Sequence, residues 1–174
     1  MTLKERTMVK QFSDSVEATL TYCVDDGRMP VNETKDIVTK MPAYSGNFDD
    51  HIMRIHNGRT SINTLNIEVN GFELIKHDTQ VKNFIDADEV KTTYYTEIEE
   101  LIKRHTSAFK VVVFDHTVRT GDDDKRAEML LREPVKRVHN DYTEWSGPQR
   151  VRDVLPEEAD ELLKKRFAAI QVWR

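Results

Sequence analysis

Apolar and polar residues alternate along several short stretches of the first half of the chain, a pattern typical of half-buried β-strands. Two such stretches are Val16 to Val24 and His51 to Arg59, and the second ends in an Asn-Gly pair that favours a hairpin turn. A third stretch, Ser61 to Leu74, alternates in the same way and contains a second Asn-Gly pair at Asn70 and Gly71. The pattern predicts strands and turns up to about residue 85.

Helical spacing marks two later stretches. Residues 86–105 begin with the capping residue Asp86 and carry apolar side chains on one face, at Val90, Tyr94, Ile98, Leu101 and Ile102. The stretch Pro156 to Phe167 opens with proline, continues with acidic residues and ends with basic ones, which is the charge order that a helix dipole favours. We therefore predict two helices in the second half.

β-Branched runs predict three further strands, at Phe109 to Arg119, Pro134 to Thr143 and Ala168 to Arg174. The acidic run Asp122 to Asp124 lies between the first two and favours a solvated loop over a calcium site, because the EF-hand spacing is missing. The last strand stops in mid-pattern at the end of the sequence, so we expect a sheet that this chain does not complete. An unpaired edge strand also favours self-association into a homo-oligomer.

The 174 residues and their composition are typical of one α+β domain, residues 1–174, with strands and loops over 1–85 and a helix and further strands over 86–174. A net charge of −5 predicts no nucleic-acid role. The single cysteine, Cys23, excludes an internal disulfide, and this favours a reducing, cytoplasmic location. We expect Cys23 to lie in the core as a small apolar residue. No run approaches the roughly 20 apolar residues of a membrane helix, and the first twelve residues are polar.

His139 and Asp141 stand two residues apart, a spacing that projects an imidazole and a carboxylate to the same side of a strand, where both can bind one metal ion. A surface ion pair is the alternative, because this composition yields about one His-x-acid pair by chance. His116 ends an apolar strand and is either a pocket residue or third ligand, or a hydrogen-bonded histidine at a strand end.

Several blocks of sequence, in this order, resemble one family: NGFEL, YYTEIEELI, VFDHTVR, VHNDYT, SGPQRVR and QVWR. The series is similar to the iron(II) and 2-oxoglutarate dependent oxidoreductases that include the fungal gibberellin desaturase and the CmcJ-type proteins. The resemblance extends from about Val16 onward and covers an N-terminal portion of the family pattern. It implies a partial double-stranded β-helix, or jelly roll, with flanking helices.

The resemblance also implies an activity, which is hydroxylation or desaturation of a small secondary metabolite with Fe(II) and 2-oxoglutarate as co-substrate. His139 and Asp141 match the first two iron ligands of the family, while its third histidine and its co-substrate anchor lie beyond the matching part. Residues expected near the pocket are His116, Arg119, Tyr142, Thr143 and Arg150. The alternative is a non-catalytic remnant that acts as a binding or self-association module.

Overall fold

A computed structural model describes residues 14–28, 31–33 and 43–174, so the polar start of the chain lies outside the described residues. The chain divides into two compact units, Met1–Lys76 and His77–Arg174. The predicted single domain, with its division at residue 85, stays a prediction.

The first unit contains two antiparallel ribbons of two strands each. Strand β1, Ser15–Cys23, pairs with β4, Phe48–His56, and strand β2, Val31–Glu33, pairs with β3, Ala43–Ser45. The register of the longer ribbon places Ser15 opposite His56 and Cys23 opposite Phe48. The alternation that predicted strands around residues 16–24 and 51–56 is therefore confirmed.

The faces of the longer ribbon are largely open to solvent. Val16 is 57% exposed and Ile52 is 75% exposed. Cys23 is exposed as well, so its predicted place in the core is wrong. The residue ends β1, which among the described residues belongs to a sheet of two strands.

Asparagine side chains cap short helical turns where the sequence predicted strand and hairpin. Asn57 accepts a hydrogen bond of 3.1 Å from the Arg59 amide and begins a 3₁₀ turn, Gly58–Ser61, instead of closing a hairpin. The strand predicted over residues 61–74 is wrong, because this stretch holds the short helix α1, Ile67–Asn70. Asn66 caps α1 with a hydrogen bond of 2.8 Å from Glu68 N, and Gly71 ends it at φ 77°. Such local bonds compete with strand pairing.

The second unit is organised around one long helical segment, as predicted for residues 86–105. It consists of α2, Ala87–Glu89, a π-helical turn, Val90–Tyr94, and α3, Tyr95–Thr106. Asp86 caps its start by accepting hydrogen bonds of 3.0 and 3.1 Å from the Asp88 and Glu89 amides. The segment contributes three of the buried apolar side chains of this unit, which are Val90, Ile98 and Leu101, beside Val81 and Ala159.

Three shorter helices follow: α4, Asp123–Met129, α5, Ser146–Val154, and α6, Ala159–Leu162. The predicted acidic loop is instead the beginning of α4, because Asp122 accepts hydrogen bonds from the next amides and acts as its N-cap. The helix predicted for residues 156–167 is reduced to α6.

The three strands predicted in the second half are not paired strands in the structure. Residues 109–118, 134–143 and 168–174 form no helix and none of the paired strands, although Arg137 makes a single β-bridge. Arg119 pairs with Arg132 in an isolated parallel bridge. β-Branched residues favour an extended backbone, but a strand also needs a neighbour for its hydrogen bonds. Within the described ranges the fold therefore mixes helices with two-stranded sheets.

Candidate metal centre

His139 and Asp141 converge in the second unit. His139 Nε2 lies 3.4 Å from Asp141 Oδ1, and the two side chains are 48% and 41% exposed. His139 Nδ1 lies 2.8 Å from the Arg137 carbonyl oxygen. A carbonyl only accepts hydrogen bonds, so Nδ1 carries a proton, and in the neutral ring the lone pair is on Nε2. The pair thus presents one nitrogen and one carboxylate donor to the same point.

This geometry fits two cis ligands of a metal ion. Two ligands about 2.1 Å from an octahedral metal and at right angles lie roughly 3.0 Å apart. The observed 3.4 Å is close to that spacing, and the exposed side chains have room to adjust. A backbone carbonyl that fixes the histidine tautomer is also a common outer partner of metal-binding histidines.

A second His and Asp pair shows what is specific about the first. In strand β4, His51 Nε2 lies 3.4 Å from Asp49 Oδ2, with side chains 53% and 64% exposed. The distance alone therefore does not distinguish a metal site from a surface ion pair. His51 makes an edge contact with Tyr22, with ring centroids 5.4 Å apart. Of these two histidines, His139 is the one whose ring is bonded to a backbone carbonyl, that of Arg137.

Among the described residues, no third ligand joins the pair. Across residues 14–28, 31–33 and 43–174, no three His, Cys, Asp or Glu side chains cluster closely enough to hold a metal ion. His116, predicted as a pocket residue or third ligand or else as a hydrogen-bonded histidine, has Nδ1 2.8 Å from the Tyr95 hydroxyl, and its pocket role stays a prediction. The present donors fit the first two iron ligands, and a third would have to come from elsewhere.

Tyr95 is a candidate site residue that sequence reasoning missed. Its ring meets the His116 ring edge-on, with centroids 5.6 Å apart and planes at 80°. Burial raises the pKa of the Tyr95 hydroxyl, and the charge of Asp115 raises it further. The neutral hydroxyl is therefore the stable form, and it holds the imidazole of His116 in place.

Arg150 lies near Tyr142, the residue that follows Asp141 in the chain. The Arg150 guanidinium carbon is 6.0 Å from the centre of the Tyr142 ring and 5.7 Å from that of Phe114. Helix α5 carries Arg150, whereas Phe114 comes from residues 109–118. Two predicted pocket residues, Tyr142 and Arg150, are thus in contact.

Two other predicted pocket residues make structural contacts. Thr143 Oγ1 accepts a hydrogen bond of 3.1 Å from the Ser146 amide, and its carbonyl accepts one of 2.9 Å from Gly147 N at the start of α5. Arg119 donates from Nη1 to the Glu133 carbonyl at 2.9 Å. Their pocket role stays a prediction.

Glu97 on α3 forms a separate polar cluster. Its side chain, 16% exposed, accepts hydrogen bonds from the Thr79 hydroxyl and from the Gln80 amide at 2.8 Å, and lies 3.3 Å from His77 Nε2. Burial alone would raise the pKa of this carboxyl group, but the bonds from Thr79, Gln80 and His77 outweigh burial and hold the pKa below its usual range. The cluster fastens the segment before the helix to α3.

Comparison with known proteins identifies the family. The family described as the oxidoreductase/YMDC permease-like domain matches residues 20–174. The chain belongs to this family. Its curated relatives include the alpha-ketoglutarate-dependent dioxygenase phiK from Fungal sp., 33% identical over 112 residues, which are 62% of this chain and 41% of phiK. The hydroxylase/desaturase CTB9 of Cercospora beticola is 34% identical over 139 residues, 73% of this chain and 43% of CTB9.

This member of the oxidoreductase/YMDC permease-like family spans less than half the length of phiK and of CTB9. Among solved structures, the iron and alpha-ketoglutarate-dependent endoperoxidase NvfI is similar, with a TM-score of 0.69 at 18% identity over 87% of this chain and 56% of NvfI. The fold is thus shared with part of NvfI. The resemblance to iron(II) and 2-oxoglutarate dependent oxidoreductases is confirmed.

Among the described residues of this family member, every helix is too short or too polar to cross a membrane.

Proposed function

We propose that this chain forms part of an Fe(II) and 2-oxoglutarate dependent oxygenase that hydroxylates or desaturates a small secondary metabolite. One observation carries the proposal: His139 Nε2 and Asp141 Oδ1 converge at 3.4 Å while the Arg137 carbonyl accepts a hydrogen bond from Nδ1. The names of phiK and CTB9 support the same reaction class. The similarity to NvfI supports the finer fold proposal, a partial jelly roll with flanking helices.

In this proposal His139 and Asp141 hold the metal. Iron held there would use dioxygen as the oxidant for a substrate C–H bond, with 2-oxoglutarate as the co-substrate that is oxidised alongside it. The chain itself orients the ligands: the Arg137 carbonyl fixes the tautomer of His139, and the Tyr95 hydroxyl fixes the ring of His116. His116 then faces the substrate as a hydrogen-bonding residue of the pocket.

The remaining parts of the proposal concern partners and location. The substrate is a small molecule, and self-association through an exposed strand edge is supported by the ribbon of β1 and β4, in which each strand has one pairing partner among the described residues. A cytoplasmic location is supported by the single cysteine of the chain. Light scattering of the purified chain tests the self-association.

Anaerobic titration of Fe(II) into the purified chain, followed by calorimetry with and without 2-oxoglutarate, tests the metal site. We expect binding to the wild type that His139→Ala abolishes, and that 2-oxoglutarate strengthens. His51→Ala is the matched control, because His51 has the same 3.4 Å spacing to an aspartate without the backbone bond.

Two results would overturn the proposal. One is an absence of Fe(II) binding to the wild type. The other is an equal loss of binding in His139→Ala and His51→Ala, which would show that exposed His and Asp pairs bind iron nonspecifically.

A further inference from the structure

Strand β4 pairs along one edge with β1 and, among the described residues, along its other edge with no strand. Two backbone bonds at the ends of this ribbon show which residues bond across it. Asn57 N donates to Asp14 O at 2.8 Å, and Val24 N donates to Asn47 O at 2.9 Å. Hydrogen-bonded pairs alternate along an antiparallel ribbon. The backbone groups of the odd-numbered residues of β4 therefore point toward β1, and those of the even-numbered residues point toward the other edge.

That second edge of β4 carries the backbone groups of Asp50, Ile52 and Arg54. The Asp50 amide donates to the neighbouring Asp49 Oδ1 at 2.9 Å, a local acceptor that takes the place of a second strand. An edge whose backbone groups point outward is a template for a further strand. The side chains of Asp50, Ile52 and Arg54 decide which strand fits.

These three side chains are complementary to a second copy of themselves. They are two positions apart, so they point to the same face of the ribbon. When two copies of β4 pair antiparallel about a two-fold axis at Ile52, Asp50 of each copy lies opposite Arg54 of the other. An axis at Asp50 or at Arg54 would instead place like charges opposite each other, which is destabilising. Of these three axes, the one at Ile52 is the one that pairs opposite charges.

The same pairing joins two apolar surfaces. On the other face of the ribbon, Val16 lies opposite Ile55 and Ala18 lies opposite Met53. Val16, Met53 and Ile55 are exposed in the single chain. A two-stranded ribbon is marginally stable in water, whereas three or more strands with an apolar face are stable. Pairing of β4 with β4 makes one sheet of four strands, in the order β1-β4-β4-β1, with a continuous apolar face.

We propose that β4 pairs antiparallel with β4 of a second copy of this chain, with the two-fold axis at Ile52 and ion pairs between Asp50 of one copy and Arg54 of the other. The inference rests on the self-association in the proposed function and gives it an edge and a register. Within one chain, Thr21 donates to Asp50 Oδ1 at 2.6 Å, and Arg54 Nη2 lies 3.9 Å from Glu17 Oε1. A carboxylate and a guanidinium have further acceptor and donor positions, so these contacts persist in the dimer.

Charge exchange tests the register. Light scattering over a concentration series measures the association of the wild type, Asp50→Arg, Arg54→Asp and the double variant with both substitutions, each checked for folding by circular dichroism. Asp50→Arg places cations opposite each other and Arg54→Asp places anions opposite each other. Each should weaken dimerisation by roughly tenfold or more. The double variant should dimerise as the wild type does, because the opposite charges exchange places.

A mixture of the two single variants provides a second reading of the same register. Each single variant should be monomeric alone, but Asp50→Arg mixed with Arg54→Asp should form a heterodimer, because both ion pairs are then complementary. Asp49→Arg is the matched control, since it changes the charge by the same amount as Asp50→Arg but lies on the other face of β4. It should dimerise as the wild type does.

Three results would overturn the inference: a wild type that is monomeric over the whole series, equal effects of Asp50→Arg and Asp49→Arg, or a mixture of the single variants that stays monomeric. A wild-type dimer that is insensitive to both single substitutions would refute this edge and register but leave the self-association standing. The calorimetric titration of Fe(II) reports on His139 in the other unit, so its outcome is read separately from the association.

Discussion

Replacing Glu97 by glutamine tests how the segment before the long helix is fastened to it. The carboxylate accepts hydrogen bonds from Thr79 and the Gln80 amide and lies 3.3 Å from His77 Nε2. Glutamine keeps the shape but removes the charge, so each of these bonds loses its charge assistance. A hydrogen bond to a charged group contributes about 1.5–3 kcal/mol and a neutral one about 1 kcal/mol. Allowing for the 16% exposure of Glu97, we expect Glu97→Gln to lower the free energy of unfolding by about 2 kcal/mol at pH 7.

The pH dependence follows from the lowered pKa of Glu97 in the folded chain. A carboxyl group whose pKa falls on folding stabilises the protein above its unfolded pKa of about 4.3, and this contribution is lost as the pH falls through the folded pKa. The variant lacks this contribution at every pH. The difference between wild type and variant should therefore be smaller at pH 4 than at pH 7.

Urea unfolding followed by circular dichroism at 222 nm measures these values, because helices α2–α6 all lie in the unit His77–Arg174. Glu100→Gln is the control, since Glu100 is 66% exposed and pairs with Arg104 at 3.9 Å. Its stability should stay within about 0.5 kcal/mol of the wild type. The reasoning is refuted if Glu97→Gln behaves like this control at pH 7, or if its deficit is the same at pH 7 and pH 4.

Two further substitutions address the backbone and the Tyr95 contact. Gly71→Ala should destabilise the first unit by about 1–2 kcal/mol in thermal unfolding, because Gly71 has φ 77°. Gly121→Ala should not be destabilising, because Gly121 has no positive φ and an added Cβ would meet open space. Equal effects of the two substitutions would contradict this. Tyr95→Phe should cost about 1–2 kcal/mol through the lost hydrogen bond to His116. An ultraviolet titration should show one tyrosine of the wild type ionising later than the rest and no such late step in the variant; an unchanged titration would contradict the raised pKa of Tyr95.

The elements that the sequence predicted well are those whose signal is local. Residues 86–105 form a helix because Asp86 caps it and apolar residues recur along one face. Strands β1 and β4 follow from simple alternation. Helix α5 was missed because Ser146, Gly147 and Pro148 resemble a turn, although proline is tolerated in the first turn of a helix.

The candidate site was predictable only in part, for the same reason. The spacing of His139 and Asp141 predicts their convergence, which the structure contains. The contact of Tyr95 with His116 joins residues 21 positions apart and was not predictable from local spacing. Pairing partners for the β-branched stretches are also nonlocal, so strand propensity alone overestimated the sheet content of the second half.

The π-helical turn Val90–Tyr94 determines the direction, around the helix axis, in which the side chains after it point. Adding one residue to a helix turns the rest by about 100° around its axis. The directions of Tyr95 and Glu97 thus depend on the number of residues in the π-helical turn and not on the identity of their side chains. Deletion of one residue from the π-helical turn would keep the helix, yet move the Tyr95 side chain away from His116 and the Glu97 side chain away from Thr79.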